Sequence, residues 1–328
     1  MSVQLALHKG EFRCDRTVPA CARCAPGHGG LACSWLSPRA DRAYRANTGA
    51  ASSSADVHGG LVRRAHGLVR HRMEPGRVMM DRNADAPWSQ FDPEAYVDLN
   101  YRTPLEVDLL IVRLMRDYFS RCYAQGVPSS VRGVDVGAGA NLYPALSMLP
   151  WCEKILLLEY ATPNVEYLEK QASGGGYDTA WDAFWDVLSE APAYRDVEPR
   201  SRFGEIVRVE RANLLDLDGQ RRWDIGTMFF VADSMSECPD EFRRGVECFM
   251  DALNEGAPFA AAFMKESLGY QVGAHRYPAY RVNADRIRES LETFAAELEI
   301  HDMDHMVRPG HEGMILALGR RNSAIAAP

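Results

Sequence analysis

Residues 131–146, VRGVDVGAGANLYPAL, constrain this chain more than any other stretch. Val131, Val134 and Val136 are β-branched and spell a buried strand, with Asp135 near its carboxyl end. Gly137 and Gly139 lack side chains where the chain must turn sharply and admit a ligand to its backbone. A helix opens next, and its first amides favour an electron-rich or anionic partner. A hydride-transfer fingerprint, G-x-G-x-x-G, would put its third glycine where Leu142 stands. Asp135 is also a poor neighbour for a pyrophosphate, so a dinucleotide oxidoreductase is disfavoured. The bend suits a nucleoside without a diphosphate, such as S-adenosylmethionine.

A second anchor follows. KILLLE, Lys154 to Glu159, is a short apolar run ending in an acid. A carboxylate at the tip of the second strand can accept both ribose hydroxyls of a nucleoside. A surface glutamate at a strand end is the plain alternative, and the coupling to DVGAG favours the ribose role. The third strand is expected at Glu205–Val209, with Asn213 toward the adenine amino group and Leu214 as an apolar contact. The fourth is expected at Asp224–Val231, its tip (Ala232, Asp233, Ser234) beside the transferable group, and the fifth at Pro258–Met264. A helix capped by Asn283 should run to Leu298. Two antiparallel strands, Leu298–Val307 and Gly313–Leu318, should then meet across RPGHEG. His301, His305 and His311 cluster there as candidate bases. The fold class expected is α/β: a doubly wound, mostly parallel seven-stranded Rossmann-like sheet with an antiparallel C-terminal strand.

The composition, 46% hydrophobic and 25% charged, fits a globular domain, and no apolar run reaches the ~18 residues of a membrane span. MSVQLALHKG lacks the apolar core of a secretory signal. Cys122, Cys152, Cys238 and Cys248 are scattered, so reduced thiols and a cytoplasmic location are expected. Residues 1–80 carry +7 and the remainder −15, an acidic body that argues against nucleic acid. A monomer with no membrane partner is expected. The first 80 residues, rich in Gly, Ala, Ser and Arg, show no periodicity and read as a disordered leader. An over-early start is a second reading, since Met79 and Met80 directly precede the first globular-looking segment. Cys14, Cys21, Cys24 and Cys33 hold one C-x-x-C near His8 and His28, but the second pair of a zinc site is missing, so no metal is expected.

The methyltransferase-like domain is expected over 81–328. WSQFDPEAYVDLNYRTP, from Trp88, gathers aromatics before any core strand; Tyr96 and Tyr101 can fold over a cofactor as a lid or pack as an ordinary helix face. Thr103 and Pro104 read as N-cap and first residue of the next helix. An aromatic insertion near 173–200 puts Trp181, Phe184 and Trp185 on one helical face, either core or the wall of an acceptor site.

DVGAGANLYP, LLEYATPNVEYL, FDPEAYVDLNY and the terminal EGMILAL together resemble the nicotinamide, phenylethanolamine and indolethylamine N-methyltransferases, a class I S-adenosylmethionine-dependent family, and within it an actinobacterial branch. The similarity runs from about Phe91 to Gly319. The resemblance implies that Tyr96 and Tyr101 close over S-adenosylmethionine and that Gly137 and Tyr143 touch its methionine part. It implies that Glu159 and Asn164 serve the ribose, Asn213 and Leu214 the adenine, and Tyr270 the acceptor. Asp135, Gly139, Tyr160 and Phe230 complete the expected cofactor contacts; Trp181 and Trp185 join Tyr270 for the acceptor. The family's strand-five aspartate is replaced by Phe263, with Glu266 three residues on, and Asn100 stands where a second tyrosine is frequent. Glu266 and Asp233 are the candidate groups to orient the acceptor or accept its proton. The expected activity is methyl transfer to a nitrogen of a small-molecule acceptor by in-line displacement. A non-catalytic S-adenosylmethionine-binding or regulatory protein is the alternative that the missing acid favours.

Overall fold

The computed structural model describes residues 82–322 apart from 174, 218 and 305–309. The expected leader with its four cysteines, and His305, lie outside the described residues. In chain order the elements begin with α1 (Pro93–Asn100), α2 (Glu106–Cys122), β1 (Arg132–Val136), α3 (Tyr143–Met148), β2 (Lys154–Glu159) and α4 (Thr162–Ala172). Next come α5 (Asp182–Ser189), α6 (Pro192–Arg195), α7 (Pro199–Ile206), β3 (Val207–Arg211), β4 (Ile225–Phe229) and α8 (Pro239–Asp251). The last are β5 (Pro258–Lys265), β6 (Tyr270–Val272), β7 (His275–Tyr277), α9 (Ala284–Leu291), β8 (Ala295–Met303) and β9 (Gly313–Arg321).

The seven-stranded sheet has the order β3-β2-β1-β4-β5-β9-β8. β1 to β5 pair in parallel, and β9 runs antiparallel to both β5 and β8. This is the expected class I methyltransferase architecture. β1, β2 and β4 are buried along nearly their whole length, because helices cover both faces of a parallel sheet. One face packs Ile111, Met115 and Phe119 of α2 with Trp181 and Phe184; the other packs Phe242, Val246 and Phe249 of α8 with Ile287 and Leu291 of α9. The chain steps outward from β1 to β3 and returns to β4 at the far side of β1. The carboxyl ends of β1 and β4 therefore flank the topological switch point, where open α/β sheets bind ligands.

Several boundaries differ from expectation. Residues 199–206 extend a helix that starts at Pro199, so β3 begins at Val207. The helix capped by Asn283, whose side chain accepts from the Arg286 amide at 3.0 Å, stops at Leu291, because Ala295 already pairs with β9. Thr103 and Pro104 precede α2, which starts at Glu106 with Leu105 at the cap position. No helix among the described residues is long and apolar enough to cross a membrane.

Candidate functional site

The glycine turn after β1 is tied to the tip of β2. The Gly137 and Ala138 amides both donate to the Leu158 carbonyl, at 2.7 and 3.1 Å. Gly137 has φ +65°, and a Cβ there would lie 2.5 Å from Cγ1 of Val231. Glu159 points into the same crevice. Its Oε2 accepts from the Gly139 amide at 2.8 Å and its Oε1 from the Ala161 amide at 2.6 Å. Burial raises the Glu159 carboxyl above its ordinary range, opposed by these amides and by the Asn164 side chain.

The cleft runs from this turn past Tyr160 and Asn164 to Asn213 and Leu214 beyond β3, under Tyr96 and Tyr101. Asn213 is held at the wall by accepting the Leu215 amide at 3.1 Å. Two buried atoms of the lining residues lack partners: Nδ2 of Asn141 and Oδ1 of Asn164. An unmet buried donor or acceptor costs roughly 1–3 kcal/mol, so the pair marks a site built for a polar ligand. A nucleoside with an amino-acid tail meets this set: a carboxylate for the Asn141 amide, hydroxyls for Glu159 and Asn164, and an apolar base face for Leu214.

A second cavity, of about 400 Å³, adjoins the first. Tyr96, Tyr101, Phe230, Ser234 and Tyr270 line both. Phe230 follows β4 with φ +59°, an uncommon conformation for a bulky side chain, and its amide donates to Ala262 at 2.7 Å. The left-handed residue turns the chain at the junction of the two spaces. Asn100 lines the second cavity, its amide donating to the Tyr96 carbonyl at 2.8 Å, and His311 lies on the same wall.

Six expected site residues stand elsewhere. Asp135 is fully buried off the cleft wall, accepting the Thr227 hydroxyl at 2.7 Å across β1 and β4; burial pushes its carboxyl up to about 8. Tyr143 is stacked on Phe184 at 5.2 Å, buried and outside both cavity linings. Trp181 packs against Tyr101 at 5.2 Å and Trp185 against Tyr194 at 6.0 Å, so the aromatic stripe is core that backs Tyr101 and lines neither cavity. Glu266, at φ +50°, is paired with Arg281 at 2.8 Å, away from both cavities. Asp233 is fully buried, with Oδ2 accepting the Met264 amide at 2.8 Å; it splices the β4 tip to β5, and burial pushes it up to about 7. Phe263, facing Ile315 across β5 and β9, is buried core. His301 lies near Glu299 on β8, at 3.6 Å.

Asn83, Trp88 and Phe91 also line the first cleft and were not singled out. The Trp88 indole donates to the Asn83 carbonyl at 2.9 Å and stacks on Tyr277 at 5.2 Å. Tyr277 belongs to the β6–β7 hairpin and also packs on Phe91 and Tyr270. The sequence shows the aromatic run, but its distant anchor, Tyr277, gave no local signal. Among the described residues no group of three or more His, Cys, Asp or Glu can hold a metal ion.

The family model described as the NNMT/PNMT/TEMT family matches residues 82–321. The chain belongs to this family. It is an S-adenosylmethionine-dependent methyltransferase, and S-adenosylmethionine is its cofactor. It is 20% identical over 258 residues to nicotinamide N-methyltransferase of Sus scrofa, covering 73% of this chain and 96% of that protein. To phenylethanolamine N-methyltransferase of Homo sapiens it is 22% identical over 244 residues, covering 68% and 83%. Among solved structures, N-methyltransferase NodS from Bradyrhizobium japonicum, in complex with S-adenosyl-L-homocysteine, aligns with a TM-score of 0.40 and 10% identity, covering 64% of this chain and 86% of that one.

Proposed function

We propose that this methyltransferase acts on a small molecule held in the second cavity and methylates it at nitrogen. The observation that carries the reading is the shared wall: Tyr96, Tyr101, Phe230, Ser234 and Tyr270 face both the cofactor cleft and a separate space of metabolite size. The nitrogen assignment draws support from the relatives, which are named as N-methyltransferases of nicotinamide and phenylethanolamine.

When bound, S-adenosylmethionine supplies a methyl group activated by its positive sulfur. In this reading Glu159 and Asn164 take the ribose, Asn213 and Leu214 the adenine, and the turn from Gly137 to Asn141 the amino-acid end. The ring faces of Tyr96, Tyr101 and Phe230 offer negative potential at the junction, which suits a cationic sulfur. Trp88 and Phe91 thicken the lid above them and keep water out. The acceptor nitrogen must arrive neutral, with its lone pair directed at the junction. Holding it there supplies most of the acceleration, so a strong general base is unnecessary. Glu266 and Asp233, bonded elsewhere, are left out of the chemistry.

Incubation with methyl-labelled S-adenosylmethionine and a native metabolite extract tests the reading. A small labelled product carrying an N-methyl group is expected. A product labelled at oxygen or carbon, or labelled macromolecules alone, would overturn it.

A further inference from the structure

The β3 edge of the sheet carries a concentration of positive charge that methyl transfer does not use. Arg132, Lys154, Arg208, Arg221 and Arg222 line a groove of about 540 Å³, in which Glu210 is the one acid among the described residues. The groove shares no lining residue with either of the two cavities described above. We infer that it is a separate anion site, which takes a small ligand bearing several phosphate groups. The inference goes beyond the methyl-transfer reading and does not depend on it.

Three observations carry it. The first is shape. β3 is the outermost strand, and among the described residues its crossover to β4 holds one 3-10 turn, Leu214–Asp216, and no α-helix. The sheet face that α8 and α9 pack elsewhere is therefore left open here, with Leu156 as part of its floor. The second is register. Arg132 and Lys154 are direct partners across β1 and β2; Leu156, two residues on, is the partner of Arg208 on β3. Alternate residues of a strand share a face, so all three cations stand on this one. Like charges directly opposite destabilise a sheet, and an anion laid between them reverses that cost. They span two strand spacings, about 10 Å, which suits a chain of phosphates better than a single one. The third is pairing. Arg221 holds Glu210 through two hydrogen bonds, at 2.5 and 3.0 Å, and these keep the Glu210 carboxyl below its ordinary range, with the charge of Lys154 adding to the effect. Arg132 has Asp224 at 3.7 Å. Among the described residues, Lys154, Arg208 and Arg222 have no carboxylate at ion-pair distance; Arg208 and Arg222 donate to backbone carbonyls instead. Charges that merely solvate an open face would mix signs, the more so in a part of the chain that carries −15. Guanidinium forks and an ammonium in one groove are the groups that recognise phosphate.

The test is calorimetric titration of the full chain with inorganic triphosphate, at saturating S-adenosylhomocysteine so that the cofactor cleft is filled. Wild type should bind a single equivalent, with an affinity that falls as salt rises, since exposed charges are screened beyond about 10 Å at 0.1 M. Lys154→Gln and Arg208→Gln should each weaken binding about 3- to 10-fold, and the double variant about 10- to 100-fold. Arg121→Gln, which removes an exposed arginine of α2 paired with Glu299, should leave it unchanged. Lys154 and Arg208 are exposed, so their variants should keep the affinity for S-adenosylhomocysteine. No binding by wild type, binding indifferent to both groove substitutions, or an equal loss in Arg121→Gln would overturn the proposal. A duplex oligonucleotide that binds where triphosphate does not would overturn it too, by assigning the groove to a nucleic-acid backbone. Failure of S-adenosylhomocysteine itself to bind would count against the methyl-transfer reading instead, and the groove variants would still decide the triphosphate arm.

Discussion

Replacing Gly137 by alanine attacks the glycine turn where it is tightest, and the structure sets the expected loss. A left-handed backbone costs an L-residue roughly 1–2 kcal/mol, and Gly137 sits at φ +65°. The new Cβ would also lie 2.5 Å from Cγ1 and 2.7 Å from Cγ2 of Val231, a β-branched side chain that cannot rotate clear of both contacts. Displacing it adds roughly 1–3 kcal/mol of overpacking. The sum, about 2–5 kcal/mol, is a large share of a typical domain's ~5–15 kcal/mol. Gly139→Ala is the matched control. Its φ is +59°, but its Cβ would meet nothing nearer than the Gly137 carbonyl at 3.8 Å, so only the backbone term of roughly 1–2 kcal/mol applies. Urea unfolding of both variants measures the difference. Equal losses would show that the Val231 contact, and with it the close approach of the loop to β4, is wrong.

Three further outcomes follow from residues that pack or pair outside the two cavity linings. Asp135→Asn should flatten the pH dependence of stability. A folded-state pKa raised to about 8 means the folded protein keeps a proton that the unfolded chain releases, so this contribution is complete below about pH 4 and is lost as pH rises through about 8. The loss, on the order of a few kcal/mol by linkage, should vanish in the variant, and unfolding curves from pH 5 to 9 with an unchanged slope would refute the buried carboxyl. Trp181→Ala should cost about 3–5 kcal/mol in denaturant unfolding, because a fully buried indole leaves a cavity in the core; intact stability with a raised acceptor KM would return Trp181 to the acceptor site. Glu266→Gln should leave turnover within about twofold of wild type, since it removes only a partly exposed ion pair with Arg281; a drop of about tenfold or more in kcat would restore Glu266 to the chemistry.

The sheet and its switch point were legible in the sequence. VDVGAG and KILLLE carry their own geometry, because a strand that must end in a turn or an acid announces it within ten residues. Glu159 bonded to the Gly139 amide is the pairing those two motifs implied. What was not legible depended on burial. Asp135, Asp233 and Glu266 look like site carboxylates at strand tips, and only the fold shows them bonded to Thr227, to the Met264 amide and to Arg281. Trp181 and Trp185 share a face whichever way that face points, and here it points into the core. The anchoring of Trp88 on Tyr277 joins opposite ends of the domain, a contact that no local pattern encodes.

The account rests on Glu159 holding the ribose of the cofactor within the glycine crevice. Calorimetric titration of Glu159→Gln with S-adenosylhomocysteine tests it most directly. Loss of hydrogen bonds to a charged acceptor, worth about 1.5–3 kcal/mol, should weaken binding about 10- to 100-fold while the variant still unfolds cooperatively. Binding as tight as wild type would contradict the assignment of this cleft to the cofactor.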